Sequence, residues 1–125
     1  MLSGAVITAF RVLTWSCICL LAILSLLPAE EMVRTGSPGE LEHFMAYAAS
    51  ASIAIAAYGQ RRGATRIIRF FWAYAGILEC LQHFSPGRHP AIGDFAASAL
   101  GALCGGVAAG LVTRRLGKGA HPDTA

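Results

Sequence analysis

Four long apolar runs divide this chain, roughly Val12–Leu27, Leu41–Tyr58, Ile67–Phe84 and Ile92–Val112. An α-helix needs about 20 apolar residues to cross a hydrocarbon core of ~30 Å. The last three runs approach that length, and the first reaches it if its helix starts before Arg11, whose long stem lets the charge reach the interface. The runs are Ala/Leu/Ile/Gly stretches without period-2 alternation, which argues against a strand barrel. Only 14% of the residues are charged, against about 25% in an average soluble domain. The mean hydropathy is +0.56. A soluble domain of this size buries only about two-thirds of its surface, too little to hide so much apolar material. The expectation is an all-α, four-helix transmembrane bundle over residues 1–116, followed by a disordered cytoplasmic tail over 117–125.

A cleaved signal peptide is the competing reading of the first run. Its apolar stretch is longer than a usual signal core, and Ser25-Leu26-Leu27 is a poor small-x-small cleavage site. The run is therefore read as a retained helix. Lys and Arg counts set the orientation. The first loop, Pro28–Glu40, has Arg34 against Glu30, Glu31 and Glu40, and the third, Ser85–Ala91, has Arg88 alone. The second, near Gly59–Arg69, has Arg61, Arg62, Arg66 and Arg69, and the C-terminal end has Arg114, Arg115 and Lys118. The positive-inside rule then puts both termini and the second loop in the cytoplasm of a multi-pass plasma-membrane protein. The net charge of +3 follows from this topology. No basic patch with interleaved aromatics points to nucleic acid.

With alternating helices, Glu42, His43, Glu79, Gln82, His83, Arg88, His89 and Asp94 all fall on the outward side. Ionisable groups near a hydrocarbon core are costly and call for a function. Glu79, Gln82 and His83 are spaced i, i+3, i+4 and share a helix face. Pro86-Gly87 breaks that helix. Glu79 then lies roughly 10 Å inside the break and needs a partner, Arg88 or His43, or a proton. Glu42 opens the second helix, where its dipole favours a carboxylate. Asp94 stands in the first turn of the fourth helix, positioned to cap it. Tyr47 lies one turn below His43 on the same face. The other aromatics, Trp15, Tyr58, Trp72 and Tyr74, are read as interface anchors and packing residues. Cys17, Cys19, Cys80 and Cys104 form no Cys-x-x-Cys pair and are read as buried structural residues.

Small residues recur every four positions in the second run (Ala46, Ser50, Ala54) and the fourth (Ser98, Ala102, Gly106, Gly110, with Gly101-x-x-x-Gly105 beside them). Such stripes let helix backbones approach closely. Packing of the second helix on the fourth is the expected use. A homodimer through Gly101/Gly105 is the other.

Glu42-His43-Phe44-Met45-Ala46-Tyr47 resembles the His-Phe-x-x-Tyr signature of the VanZ-like membrane proteins. Glu79-Cys80-Leu81-Gln82-His83-Phe84-Ser85-Pro86-Gly87-Arg88 with the downstream Asp94 resembles that family's Glu-x-x-Gln-x-Phe-x-Pro-Gly-Arg stretch and Asp. Gly101 falls where the family has a glycine in its last helix. Two positions depart from the pattern: Gly39-Glu40 stands where members often carry Asp-Lys, and Ser98 where an Asn is common. The resemblance implies a small bacterial inner-membrane protein of the cell envelope. The family takes its name from a protein implicated in resistance to the glycopeptide teicoplanin.

Three readings of the polar cluster stay open. In the first, Glu42, His43, Tyr47, Glu79, Gln82, Arg88 and Asp94 form an outward-facing site for a lipid head group, a lipid-linked envelope precursor or a glycopeptide, with Arg88 on the anion in a two-pronged contact. In the second, they catalyse a transfer or hydrolysis on such a lipid, with Glu79 as general base and His43 or His83 as acid. In the third, they are a structural lock for a membrane scaffold. Several of these side chains are metal-ligand types, but only Glu79 and His83 have helical ligand spacing. No metal or cofactor is assigned.

Overall fold

The structure is a computed structural model that describes residues 2–119. It is all-helical among those residues, with four long helices: α1 (Gly4–Leu26), α2 (Gly39–Arg62), α3 (Ala64–Leu81) and α4 (Ile92–Gly119). Two short 3-10 turns, Ala29–Glu31 and Gln82–Phe84, lie in the connections. The hydroxyl of Ser3 caps α1 by accepting from the Val6 N–H at 3.4 Å. Pro28 ends the helix, because the residue before a proline is pushed out of the helical region. Glu40 and Glu42 occupy the first turn of α2, and Arg61 and Arg62 its last turn, the arrangement its dipole favours.

Three boundaries differ from the expectation. The third helix ends at Leu81, with Gln82–Phe84 in a 3-10 turn ahead of Pro86-Gly87. The basic second loop is a single residue: Gly63, at φ +80°, turns α2 directly into α3. Only glycine enters that left-handed region without strain. Arg61, Arg62, Arg66 and Arg69 are therefore helical. Helix α4 runs on to Gly119, so the first three residues of the expected tail are helical. Residues 120–125 of that tail lie outside the described residues.

Helix α2 packs on all three other helices and most extensively on α4. The two run parallel, because Phe44 meets Gly101, Ala48 meets Gly105, and Ile55 meets Gly106. A Cβ on Gly101 would overlap the Phe44 backbone, and one on Gly105 the Ala48 backbone. The Ser52 hydroxyl reaches the Gly105 carbonyl at 3.0 Å. The small-residue stripe is thus spent inside the chain. A homodimer through Gly101/Gly105 would need a surface that α2 covers.

The core is built from small and hydroxyl-bearing residues around a few large ones. Ala51, Ala54, Ala75, Ala102, Ser50 and Ser98 are buried with Ile55, Phe71 and Leu78. Large apolar side chains such as Val12, Trp15, Ile23, Ile77, Leu100 and Leu111 are exposed. Aromatic tips tie neighbouring helices together. The Trp15 indole donates to the Tyr58 hydroxyl at 3.0 Å, the Trp72 indole to the Ala99 carbonyl at 3.0 Å, and the Tyr74 hydroxyl to the Ile18 carbonyl. Arg11 places its guanidinium 5.4 Å from the centre of the Tyr58 ring, a cation–π contact. The cysteines are not buried as expected: Cys19, Cys80 and Cys104 are exposed and Cys17 is half-buried, all of them free. They lie on outward helix faces, because the inward faces are taken by residues small enough for close packing.

Gly101→Ala and Gly105→Ala should each destabilise the protein by about 1–3 kcal/mol, the usual cost of overpacking. Thermal unfolding in detergent measures this. Gly117→Ala, where an added Cβ meets nothing within 4 Å, should not lower the midpoint. Equal behaviour of the three variants is the contrary result.

Candidate functional site: a polar rim between the helix ends

The end of α1, the starts of α2 and α4 and the end of α3 meet at one rim. The connections there are pinned to each other. The Ala29 N–H donates to the Pro86 carbonyl at 3.1 Å, and the Ser85 hydroxyl donates to the Leu26 carbonyl at 3.0 Å. Gly87 adopts φ +71°, and a Cβ there would stand 3.1 Å from the Ala29 Cβ.

Two adjoining cavities open at this rim. The larger, about 410 Å³, has a mixed lining rich in charged side chains, among them Arg34, Glu42, His43, Arg88 and Asp94, with Gln82 beside them. The smaller, about 130 Å³, runs between α1 and α2 past Leu21, Leu24, Leu27, Ala46 and Tyr47. Met32, Val33, Glu42, His43 and Arg88 line both. A polar chamber therefore continues into an apolar crevice, with Arg88 at the junction.

The polar groups divide into two sets. On one side, the Arg88 guanidinium donates to the Ser25 carbonyl at 3.1 Å and to the Met32 sulfur. No carboxylate among the described residues forms an ion pair with it. On the other side, His43, Glu79 and Asp94 converge from α2, α3 and α4, each offering a ligand atom within 4.8 Å of the others. His43 Nε2 lies 3.9 Å from Asp94 Oδ2, and the two side chains are 21% and 28% exposed. His43 Nδ1 is 3.2 Å from the Ser98 hydroxyl. Glu79 accepts from the Ala91 N–H at 3.3 Å.

These residues gather at one end, as expected. Of the two partners expected for Glu79, His43 approaches it while Arg88 turns away toward α1, and its hydrogen bond comes from the Ala91 N–H. Glu79 lines neither cavity. Asp94 does stand in the first turn of α4, yet its carboxylate faces His43. The carboxylate on the backbone N–H before that helix is Glu79. The reason is that α2 lies close enough to α4 to present an imidazole to Asp94. Tyr47 is buried with its ring edge-on to Phe71, centroids 6.2 Å apart. It lines the smaller cavity, and among the described residues its hydroxyl makes no hydrogen bond to the cluster. Gln82 is only 2% exposed and lines the larger cavity. His83 and His89 are exposed. His89 touches the larger cavity and His83 does not.

Sequence reasoning also missed the loop between α1 and α2 as a wall of the site. Met32, Val33, Arg34, Gly36 and Ser37 line the larger cavity, and the Thr35 hydroxyl donates to Glu42. That loop carries no recognisable spacing. The only available signal was its Gly-Ser-Pro-Gly composition before α2. No family profile, curated protein or solved structure matches this chain.

Ser98→Ala should release the His43 ring at a cost of about 0.5–1.5 kcal/mol, the net worth of one hydrogen bond. Chemical denaturation measures the stability, and 15N shifts of the imidazole report the tautomer. A tautomer held as firmly in the variant as in the parent would show that Ser98 does not orient the ring.

Proposed function

We propose that this chain is a multi-pass inner-membrane protein of the VanZ-like type that binds an amphipathic, anionic ligand at its outward rim. Two helices, Gly4–Leu26 and Ile92–Gly119, are long and apolar enough to cross a membrane. Helices α2 and α3 are less apolar, and they complete a four-span bundle in this reading. Support comes from the reversed distribution of side chains: large apolar groups outside, small and polar groups inside. Monomeric soluble proteins rarely leave such extended apolar surface in water. Close packing of small residues with hydroxyl and indole hydrogen bonds is how helices associate in lipid. Both termini are cytoplasmic in this reading, with Arg61, Arg62, Arg114 and Arg115 on the inner side.

The observation that carries the ligand reading is the junction of a polar chamber with an apolar crevice at Arg88. A phosphate or carboxylate head group fits the chamber, where Arg88 and Arg34 supply positive charge. The first few carbons of an acyl or prenyl chain fit the crevice beside Leu21 and Leu24. Gln82 and Glu42 would meet the polar remainder of a membrane lipid or lipid-linked envelope precursor. A glycopeptide presents comparable groups, and a resistance role would follow from sequestering either. Because Glu79 lines neither chamber, binding has more support than catalysis with Glu79 as base.

In detergent, Arg88→Ala should weaken binding of a short-chain phosphatidylglycerol by about tenfold or more, ~1.4 kcal/mol per tenfold, with Arg88→Lys intermediate. Isothermal titration measures the affinity, and the thermal midpoint guards against loss of fold. Unchanged affinity in folded Arg88→Ala protein would end the anion role. For topology, a single cysteine placed at Ser37 in a background without native cysteines should react with an impermeant maleimide on whole cells. One placed at Arg62 should react only after permeabilisation, and the reverse pattern would overturn the orientation.

A further inference from the structure

The convergence of His43, Glu79 and Asp94 points to a second kind of ligand. We infer that these three side chains hold a first-row divalent cation at the rim, with its open coordination positions facing the larger cavity. The three come from three helices and bring ligand atoms within 4.8 Å of one another. Metal–ligand bonds of roughly 2.0–2.2 Å place ligand atoms about 3–4 Å apart, and the 3.9 Å between His43 Nε2 and Asp94 Oδ2 already meets that. Glu79 completes the set, with a carboxylate oxygen within 4.8 Å of the other two ligand atoms. One imidazole and two carboxylates suit Zn2+ or Mn2+, with water or a ligand oxygen filling the remaining positions.

Charge supports the assignment. Two carboxylates this close repel unless a cation stands between them or one of them holds a proton. Among the described residues no Lys or Arg forms an ion pair with either, and Arg88 is directed to the Ser25 carbonyl and Met32. The imidazole is held with Nδ1 on Ser98, which leaves Nε2 toward the carboxylates. Orientation through the other ring nitrogen is the usual outer support of a metal-bound histidine.

Gln82 adds a neutral donor and acceptor on the same wall. The residue is only 2% exposed and lines the cavity with His43 and Asp94. Its amide makes no hydrogen bond among the described residues, yet it is not a sealed orphan, so it opens on the cavity. There its carbonyl is free to accept from a water bound to the cation. Helical spacing had singled out Glu79 with His83 instead. His83 is exposed and outside the group.

The site is tested on the protein alone, so its failure is separable from failure of the lipid reading. Chelator-stripped protein in detergent is dialysed against Zn2+ or Mn2+ and bound metal is measured by mass spectrometry. About one equivalent per chain is expected with one of the two ions. Glu79→Gln and Asp94→Asn should each weaken binding by at least about 10–100-fold, the loss that disturbing even an outer partner of a metal ligand brings, and His83→Ala should retain it. If the variants fail to fold, the parent protein still decides: bound metal should protect His43, and not His83, from diethyl pyrocarbonate. Less than stoichiometric binding of both ions, binding that survives in both folded carboxylate variants, or an unprotected His43 in metal-loaded protein would overturn the site.

Discussion

The close approach of α4 to α2 at Gly101 and Gly105 governs the arrangement of the rim. With no Cβ on either glycine, the backbones of Phe44 and Ala48 lie where side chains would otherwise stand. That contact fixes the rotation and height of α4 relative to α2. Ser98 lies one turn before Gly101, and His43 immediately before Phe44. The same contact therefore sets the 3.2 Å between His43 Nδ1 and the Ser98 hydroxyl, and through Asp94 it sets the composition of the polar cluster. The parallel direction of the pair matters too. It places two helix starts side by side, and with them the exposed N–H groups and acidic residues that helix N-termini favour.

The second organising constraint is the inversion of the interior. In water a core gains by burying large apolar groups. Here the buried centre is rich in alanine, serine and glycine around a few large groups such as Ile55, Phe71 and Leu78, while most of the large apolar side chains, including Val12, Trp15, Ile23 and Leu111, point outward. Lipid makes that arrangement consistent, because association then rests on close backbone packing and hydrogen bonds. The least apolar helices are shielded accordingly. Helix α2, with Ser50 and Tyr47 buried, occupies the middle and touches every other helix. The two most apolar helices, α1 and α4, keep most of their surface exposed.

At the rim, opposite charges are kept apart. Arg88 leans on the carboxyl end of α1 through the Ser25 carbonyl, where a cation is favoured by the free carbonyls of a helix end. Glu79 leans on the start of α4 through the Ala91 N–H, where an anion is favoured. Each helix end thus draws the charge that complements it. The larger cavity between them retains an unneutralised guanidinium on one wall and an imidazole with carboxylates on the other. In the proposed reading, an anionic head group at Arg88 displaces no protein ion pair, whereas a cation at the cluster takes its place between His43 and Asp94.

Residue order alone determined that there are four long helices, that Pro28 ends the first, and that the ionisable residues gather at one end; the third helix stops at Leu81, ahead of Pro86-Gly87. Run length, proline stops and alternation are local properties of the chain. The pairing of the small-residue stripes was also legible, because spacing four marks one helix face. Tertiary structure alone decided the partners. Glu79 and Arg88 are close in number and share a rim, yet one faces α4 and the other α1. Which neighbour a rim side chain meets depends on how helices rotate about their axes when they pack. That rotation is set by the α2–α4 backbone contact, whose consequences for Glu79, Arg88 and the α1–α2 loop leave no mark in the spacing of the residues themselves.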